Sequence, residues 1–260
     1  VDFRGSGQSP LVSAGHRDLC VAQFDPAGHH VWSRRFGSAE DEWPRALAVD
    51  DDGAVYLTGT FVNAIDFGGG GLIPAGQDDV YLVKLDASGN HVWSHRFGDS
   101  ARDLVCDLSI DRDGFHVYLT GTFAGAIDFG GGTLNSAGGL DLYLAKIKTT
   151  TSGHVWSRAF GGAGNDAGRG VAVDGYDDVL LTGQFEDAVD FGGGPLVSMG
   201  DRDVCLVKLD GNGGHVLSRS YGGGEDDLPS AIAVDATNRV VITGSFRSTA
   251  DFGGGPLASQ

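Results

Sequence analysis

Three features are scarce in this 260-residue chain, and each scarcity excludes a class of protein. Only three cysteines occur, Cys20, Cys106 and Cys205, and no two are spaced as CxxC. That removes the usual zinc and dithiol motifs, and the odd count leaves at least one thiol free. Lysine occurs only at Lys84, Lys146, Lys148 and Lys208, and 18 basic residues face 35 acidic ones for a net charge of −17. Binding to a phosphate backbone needs clustered Lys and Arg, so nucleic acid is not an expected partner. No apolar stretch approaches the roughly 18–20 residues of a membrane-spanning helix. The sole methionine is Met199 and no signal-peptide pattern opens the chain, which reads as a mature product or part of a longer protein. The catalytic signatures GxSxG, HExxH and Cys–His pairings are absent as well.

What the chain does have is glycine, 44 residues of it, beside a 41% hydrophobic content that supports a folded core. The glycines fall in a repeat. Asp-Phe recurs at Asp2, Asp66, Asp128, Asp190 and Asp251, with spacings of 64, 62, 62 and 61 residues, and four of the five copies continue as DFGGG. Each period holds four apolar runs. They are typified by RALAVD (Arg45–Asp50), AVYLTGTF (Ala54–Phe61), DVYLVKLD (Asp79–Asp86) and HVWSHRFG (His91–Gly98). Runs of five to eight residues, rich in Val, Leu, Ile, Tyr and Thr and bounded by Gly, Asp and Asn, predict strands. No segment carries a helical period over ten residues. Four strands per repeat predict an all-β fold, a β-propeller of roughly 62-residue blades, each with a long glycine-rich loop.

At this point the residues resemble a family. GGAGNDAGRGVAVD (Gly161–Asp174) followed by DVLLTG (Asp178–Gly183), and KLDASGNHVWSHRFG (Lys84–Gly98), resemble the bacterial SBBP-type β-propeller repeat. AVDDDGAVYLTG (Ala48–Gly59) is similar to NHL-type repeats. The resemblance covers the chain four times over. It implies a secreted or surface-associated bacterial protein, with GVAVD-type strands innermost and HVWS-type strands outermost.

Complete blades are expected over about 44–98, 104–161 and 168–221, with a split blade formed by 229–260 plus 1–37. Joined, the two halves close a four-bladed ring within a single domain. The glycine-rich loop between them is present at both ends, which favours a segment of a larger array, a homo-oligomer or a larger assembly.

Aligning the repeats at Phe36, Phe97, Phe160 and Tyr221 places Glu42, Asp103, Asp166 and Asp227 at one equivalent position. It lies in the loop that leads into an innermost strand, so the four acids are expected around one mouth of a central channel. Such a ring suits a hard cation such as Ca²⁺, or a ligand, and the same Asp residues also suit backbone N–H acceptance within the loop. Trp43, beside Glu42, is a candidate for stacking on a sugar or a cation. The Asp of each DFGGG is expected to cap its loop. His30, His91, His154 and His215, each with Trp or Leu two residues on, are expected to pack between blades. Cys20 and Cys205 stand where other repeats have Tyr81 and Tyr143, which predicts buried apolar substitutes.

The leading expectation is a non-enzymatic binding or structural scaffold for a protein or carbohydrate ligand, with Ca²⁺ as a candidate cofactor. A hydrolase or lyase using the four carboxylates, and a repeat unit of a surface assembly, are the alternatives.

Overall fold

The structure, a computed structural model, describes residues 10–259; the first Asp-Phe copy, at Asp2, lies outside the described residues. The fold is all-β. A two-stranded sheet comes first, β1 (Leu19–Phe24) and β2 (His30–Phe36). Sheet I follows with β3 (Glu42–Val49), β4 (Val55–Phe61), β7 (Asp79–Leu85) and β8 (His91–Phe97), with the hairpin β5 (Ile65–Asp66) and β6 (Gly71–Leu72) inserted. Sheet II has β9 (Asp103–Ile110), β10 (His116–Phe123), β13 (Asp141–Lys148) and β14 (His154–Phe160), with the hairpin β11 (Ala126–Asp128) and β12 (Thr133–Asn135). Sheet III has β15 (Ala167–Val173), β16 (Val179–Phe185), β19 (Asp203–Leu209) and β20 (His215–Gly223), with the hairpin β17 (Ala188–Asp190) and β18 (Pro195–Val197). A second two-stranded sheet, β21 (Asp227–Val234) and β22 (Val240–Phe246), precedes the hairpin β23 (Thr249–Asp251) and β24 (Pro256–Ala258), which attaches to β20.

Within each complete sheet the strands are antiparallel and lie in chain order. The register between second and third strands is the same three times, with Phe61 opposite Asp79, Phe123 opposite Asp141 and Phe185 opposite Asp203. Among the described residues, no strand pairing joins the two-stranded sheets at either end to each other. The repeated sheets therefore follow one another without the pairing that would close a ring.

Alternation along the third strand builds the core, because successive side chains leave a strand on opposite faces. Val80 and Leu82 of sheet I pack with Val117, Leu119, Tyr143 and Ile147 of sheet II. Tyr81, Val83 and Leu85 face the other way, onto Leu19 and Val21 of β1. The same division recurs between sheets II and III, where Leu142 and Leu144 meet Leu181, Cys205 and Val207. Each sheet is thus an apolar filling between two neighbours, and both of its faces need one.

The glycine-rich stretch is a short capped hairpin where the sequence suggests only a loop. Asp66 Oδ1 accepts the N–H groups of Gly68 and Gly70 at 2.7 and 3.1 Å, and Asp128, Asp190 and Asp251 repeat the arrangement. The first and third glycines adopt φ near +100°, which side chains disfavour. The middle glycine is required for another reason. A Cβ on Gly69 would lie 2.0 Å from the His91 ring, and Gly131 and Gly193 stand in the same relation to His154 and His215. The histidines thus pack under their own hairpins. The adjacent tryptophans do lie between sheets, with Trp32, Trp93 and Trp156 Nε1 donating to the Ala87, Thr149 and Gly211 carbonyls.

Candidate functional site

The four aligned carboxylates are buried, and each is built into the turn before its strand. Asp103 Oδ2 accepts the Asp99 N–H at 2.9 Å, Asp166 Oδ2 that of Gly162 at 2.8 Å and Asp227 Oδ2 that of Gly223 at 2.6 Å. Glu42 Oε1 takes the Ser38 N–H at 3.0 Å. All four are at most 2% exposed.

A second set of carboxylates, Asp18, Asp79, Asp141 and Asp203, begins the third strands and makes the same four-residue turn, accepting from Ala14, Ala75, Ala137 and Met199. One backbone bond brings the two sets together. The N–H groups of Glu42, Asp103, Asp166 and Asp227 donate to the carbonyls of Arg17, Asp78, Leu140 and Arg202, each the residue just before a third-strand acid. The acids therefore come in pairs, one pair per junction between sheets. Burial raises the carboxyls of Asp103, to about 7, and Asp166, to about 6, with the paired Asp79 and Asp141 charges adding to the rise. Burial likewise raises Glu42, Asp203 and Asp227. In three of these four pairs both acids keep a buried oxygen with no hydrogen-bond partner; in the fourth, Asp166 Oδ1 accepts the Glu186 N–H. Among the described residues no three His, Cys, Asp or Glu side chains gather into a group that holds a metal. Each pair thus stands at its own junction between sheets, where it shapes the turn.

Trp43 is half-buried in a cleft of about 440 Å³ that it lines together with the Asp18 and Glu42 pair and with Leu11, Arg17, Arg35 and Arg45. Arg45 also reaches a second recess of about 430 Å³, lined from all four first strands or their partners by Cys106, Arg169, Gln184 and Ser230 among others. Arg45, Cys106, Arg169 and Ser230 all stand three residues after the aligned carboxylate, at one repeat position. Arg169 donates to the Gln184 side chain at 3.2 and 3.3 Å, and neither arginine is ion-paired to a carboxylate within 4 Å among the described residues. Burial raises the Cys106 thiol, and the nearby Arg169 and Arg45 charges oppose that rise. In a chain of net charge −17, this recess presents two guanidinium groups. The repeat alignment that isolates the acids also isolates this position; its mixture of Arg, Cys and Ser conceals it.

The cysteines are all free. Cys205 is buried as its place in the repeat predicts, whereas Cys20 is exposed, because among the described residues no sheet covers β1 on the face that in Tyr81, Tyr143 and Cys205 is covered.

No protein-family model matches the chain. Over 173 residues, 64% of the chain and 18% of the relative, it is 27% identical to the regulatory protein FlaEY of Caulobacter vibrioides. Over 202 residues, 69% of the chain and 14% of the relative, it is 22% identical to the uncharacterized WD repeat-containing protein L264 of Acanthamoeba polyphaga mimivirus. The chain spans less than a fifth of the length of either relative.

Proposed function

We propose that this chain is a non-enzymatic binding scaffold, of the propeller class and located outside the bacterial cell or on its surface. In this reading its recess at the first strands takes an anionic group of a protein or carbohydrate ligand. The observation that carries the reading is the pair Arg45 and Arg169, which line one recess without carboxylate partners in a strongly acidic protein. A guanidinium offers planar, bidentate recognition of carboxylate, sulfate or phosphate groups. Trp43, in the adjoining cleft that shares Arg45, supplies an apolar face for a sugar ring or an aromatic side chain. The extracellular placement rests on the resemblance to exported bacterial repeats.

The test is calorimetric titration with uronic-acid and sulfated oligosaccharides and with acidic peptides. Arg45→Ala and Arg169→Ala should each weaken binding at least tenfold while Trp43→Ala has a smaller effect. Binding that both arginine variants leave unchanged overturns the assignment of the site.

The calcium-assisted version rests on the buried, unpartnered oxygens of the carboxylate pairs. A bound ion must stabilise the folded state by mass action, so millimolar calcium should raise the melting temperature and EDTA lower it. An unchanged melting temperature removes calcium from the proposal. The hydrolase or lyase alternative gains from the raised carboxyls of Asp103 and Asp166, the protonation a general acid requires. Their burial keeps them from a substrate in this conformation.

A further inference from the structure

We propose that the residues preceding the paired acids form a charge code at the junctions, which selects the sheet that docks on each sheet. The code belongs to the repeated sheets and does not rest on the ligand reading of the arginine recess.

The junctions share one docking bond. The N–H groups of Glu42, Asp103, Asp166 and Asp227 donate to the carbonyls of Arg17, Asp78, Leu140 and Arg202 at 2.9, 2.8, 2.6 and 2.7 Å. The side chains that follow the third-strand acids, Leu19, Val80, Leu142 and Val204, are nearly interchangeable. Neither a backbone bond nor a recurring apolar face says which repeat it joins. Sheets this alike can dock out of order, and misassembly of similar units is a characteristic failure of repeat proteins.

The position that differs is the residue just before each acid. Before the third-strand acids stand Arg17, Asp78, Leu140 and Arg202, and before the first-strand acids stand Asp41, Arg102, Asn165 and Asp226. The docking bond sets these residues side by side. Asp78 and Arg102 form a parallel bridge, with Arg102 Nε 2.9 Å from Asp78 Oδ2. Between sheet III and β21 the charges are exchanged, and Arg202 donates twice to Asp226, at 2.7 and 2.8 Å. The junction between them, of sheets II and III, is uncharged, and Asn165 Oδ1 accepts the Leu140 N–H at 3.3 Å. Arg17 and Asp41, before sheet I, have the same sense as Arg202 and Asp226. No two successive junctions carry the same pair.

Each pair suits its own neighbour and opposes a displaced one. Shifted by one repeat, Arg17 would face Arg102, Asp78 would face Asn165 and Leu140 would face Asp226. Shifted by two, Asp78 would face Asp226. The size of the effects points to selection rather than stabilisation. The Arg102 side chain is 58% exposed, and an exposed ion pair adds little to stability. Like charges forced together cost far more than such a pair gains, and penalties against wrong partners are a route to specificity.

Refolding by dilution from urea, at low protein concentration, tests the code. Native recovery is read from near-ultraviolet circular dichroism and from the native peak in size-exclusion chromatography. The double exchange Asp78→Arg with Arg102→Asp keeps an ion pair at its junction but gives it the sense of Arg202 with Asp226. Its melting temperature should match that of the wild type. Its native recovery should fall at least twofold, because sheet I then suits β21 as well as β9. The double substitution Asp78→Leu with Arg102→Asn copies the uncharged junction and should likewise keep the melting temperature and lose recovery. Asp78→Arg alone sets two cations side by side and should lower both, and adding Arg102→Asp should restore the melting temperature without restoring recovery. Double variants that refold with wild-type rate and recovery overturn the proposal, for the pairs are then ordinary ion pairs. So does an Asp78→Arg variant with wild-type melting temperature and recovery, for the two side chains then do not sense each other.

Discussion

The strands β16 and β22 have nearly the same sequence, VLLTGQF and VVITGSF, the same kind of partner on one side and opposite fates on the other. Every residue of β16 is buried, and no residue of β22 is. The difference lies in what surrounds them. β16 pairs with β19 and faces sheet II, while among the described residues β22 has neither a third strand nor a following sheet beside it. In a repeat protein the apolar pattern states what a strand requires, and only its neighbours decide whether it is met.

The largest expected consequence concerns core side chains. Leu181 of β16 is fully buried within the cluster that joins sheets II and III, and Ile242 is its counterpart at the cleft. Leu181→Ala should cost about 3 kcal/mol of unfolding free energy, since it removes transfer energy and leaves a cavity. Ile242→Ala should cost about 1 kcal/mol or less in the monomer, because much of its surface is already in contact with water. Urea denaturation at low protein concentration measures both, and equal losses would break the comparison.

The glycine hairpins provide the next test. A Cβ on Gly193 would lie 2.3 Å from the His215 ring, whereas Gly254, the corresponding residue of the last repeat, has nothing within 4 Å. Neither adopts the left-handed φ of its neighbours. Gly193→Ala should therefore destabilise by about 1–3 kcal/mol through overpacking. Gly254→Ala should be neutral or slightly stabilising, because it restricts the unfolded chain. Thermal melts of the two variants separate packing from backbone freedom as the reason for the triple glycine.

These contrasts also show how far the sequence could be read. The four strands per period were legible because alternation and turn residues recur with fixed spacing. The pairing of carboxylates was not. Asp79 and Asp103 lie 24 residues apart and are brought together where the Asp103 N–H bonds to the Asp78 carbonyl and Arg102 pairs with Asp78 across the sheet junction. Sequence alignment placed Glu42, Asp103, Asp166 and Asp227 as equivalents, and each makes the same turn bond in its own repeat, but alignment at one position says nothing of the partner acid from another strand. The arginine recess was hidden for a related reason, since its position carries Arg in only two repeats out of four. Cys20 was read by analogy with Tyr81, and the analogy fails where the covering sheet is absent.

The carboxylate pairs yield a third prediction. Asp103 is raised to about 7 and Asp166 to about 6, chiefly by burial, from an ordinary value near 4. A folded-state pKa above the unfolded one means that the folded state holds its proton more tightly. The stability these groups contribute is fully present below about pH 4 and is lost as pH rises through 6 to 7. Unfolding free energy should therefore fall between pH 5 and pH 8. Asp103→Asn keeps an oxygen for the Asp99 N–H and removes the buried charge, so it should stabilise the fold at pH 8 by about 1–2 kcal/mol and flatten that slope. Asp227→Asn, at the junction with the incomplete sheet, should do the same to a smaller extent. A wild-type stability that rises across this interval, or variants with no effect on it, would contradict the buried-carboxylate account.

The smallest expected effect is also the one that links the two strands most directly. Thr182 Oγ1 donates to the Cys205 carbonyl at 3.0 Å in a site closed to water, and Thr243 occupies the same repeat position on the exposed edge of β22. Valine matches threonine in shape and suits a strand equally well, so Thr182→Val removes little beyond the hydrogen bond. The expected cost is about 1 kcal/mol. Thr243→Val should cost nothing measurable in the dilute monomer, where water serves the hydroxyl. Urea denaturation of the two variants measures both costs, and equal losses would break the comparison between the buried strand and the exposed one.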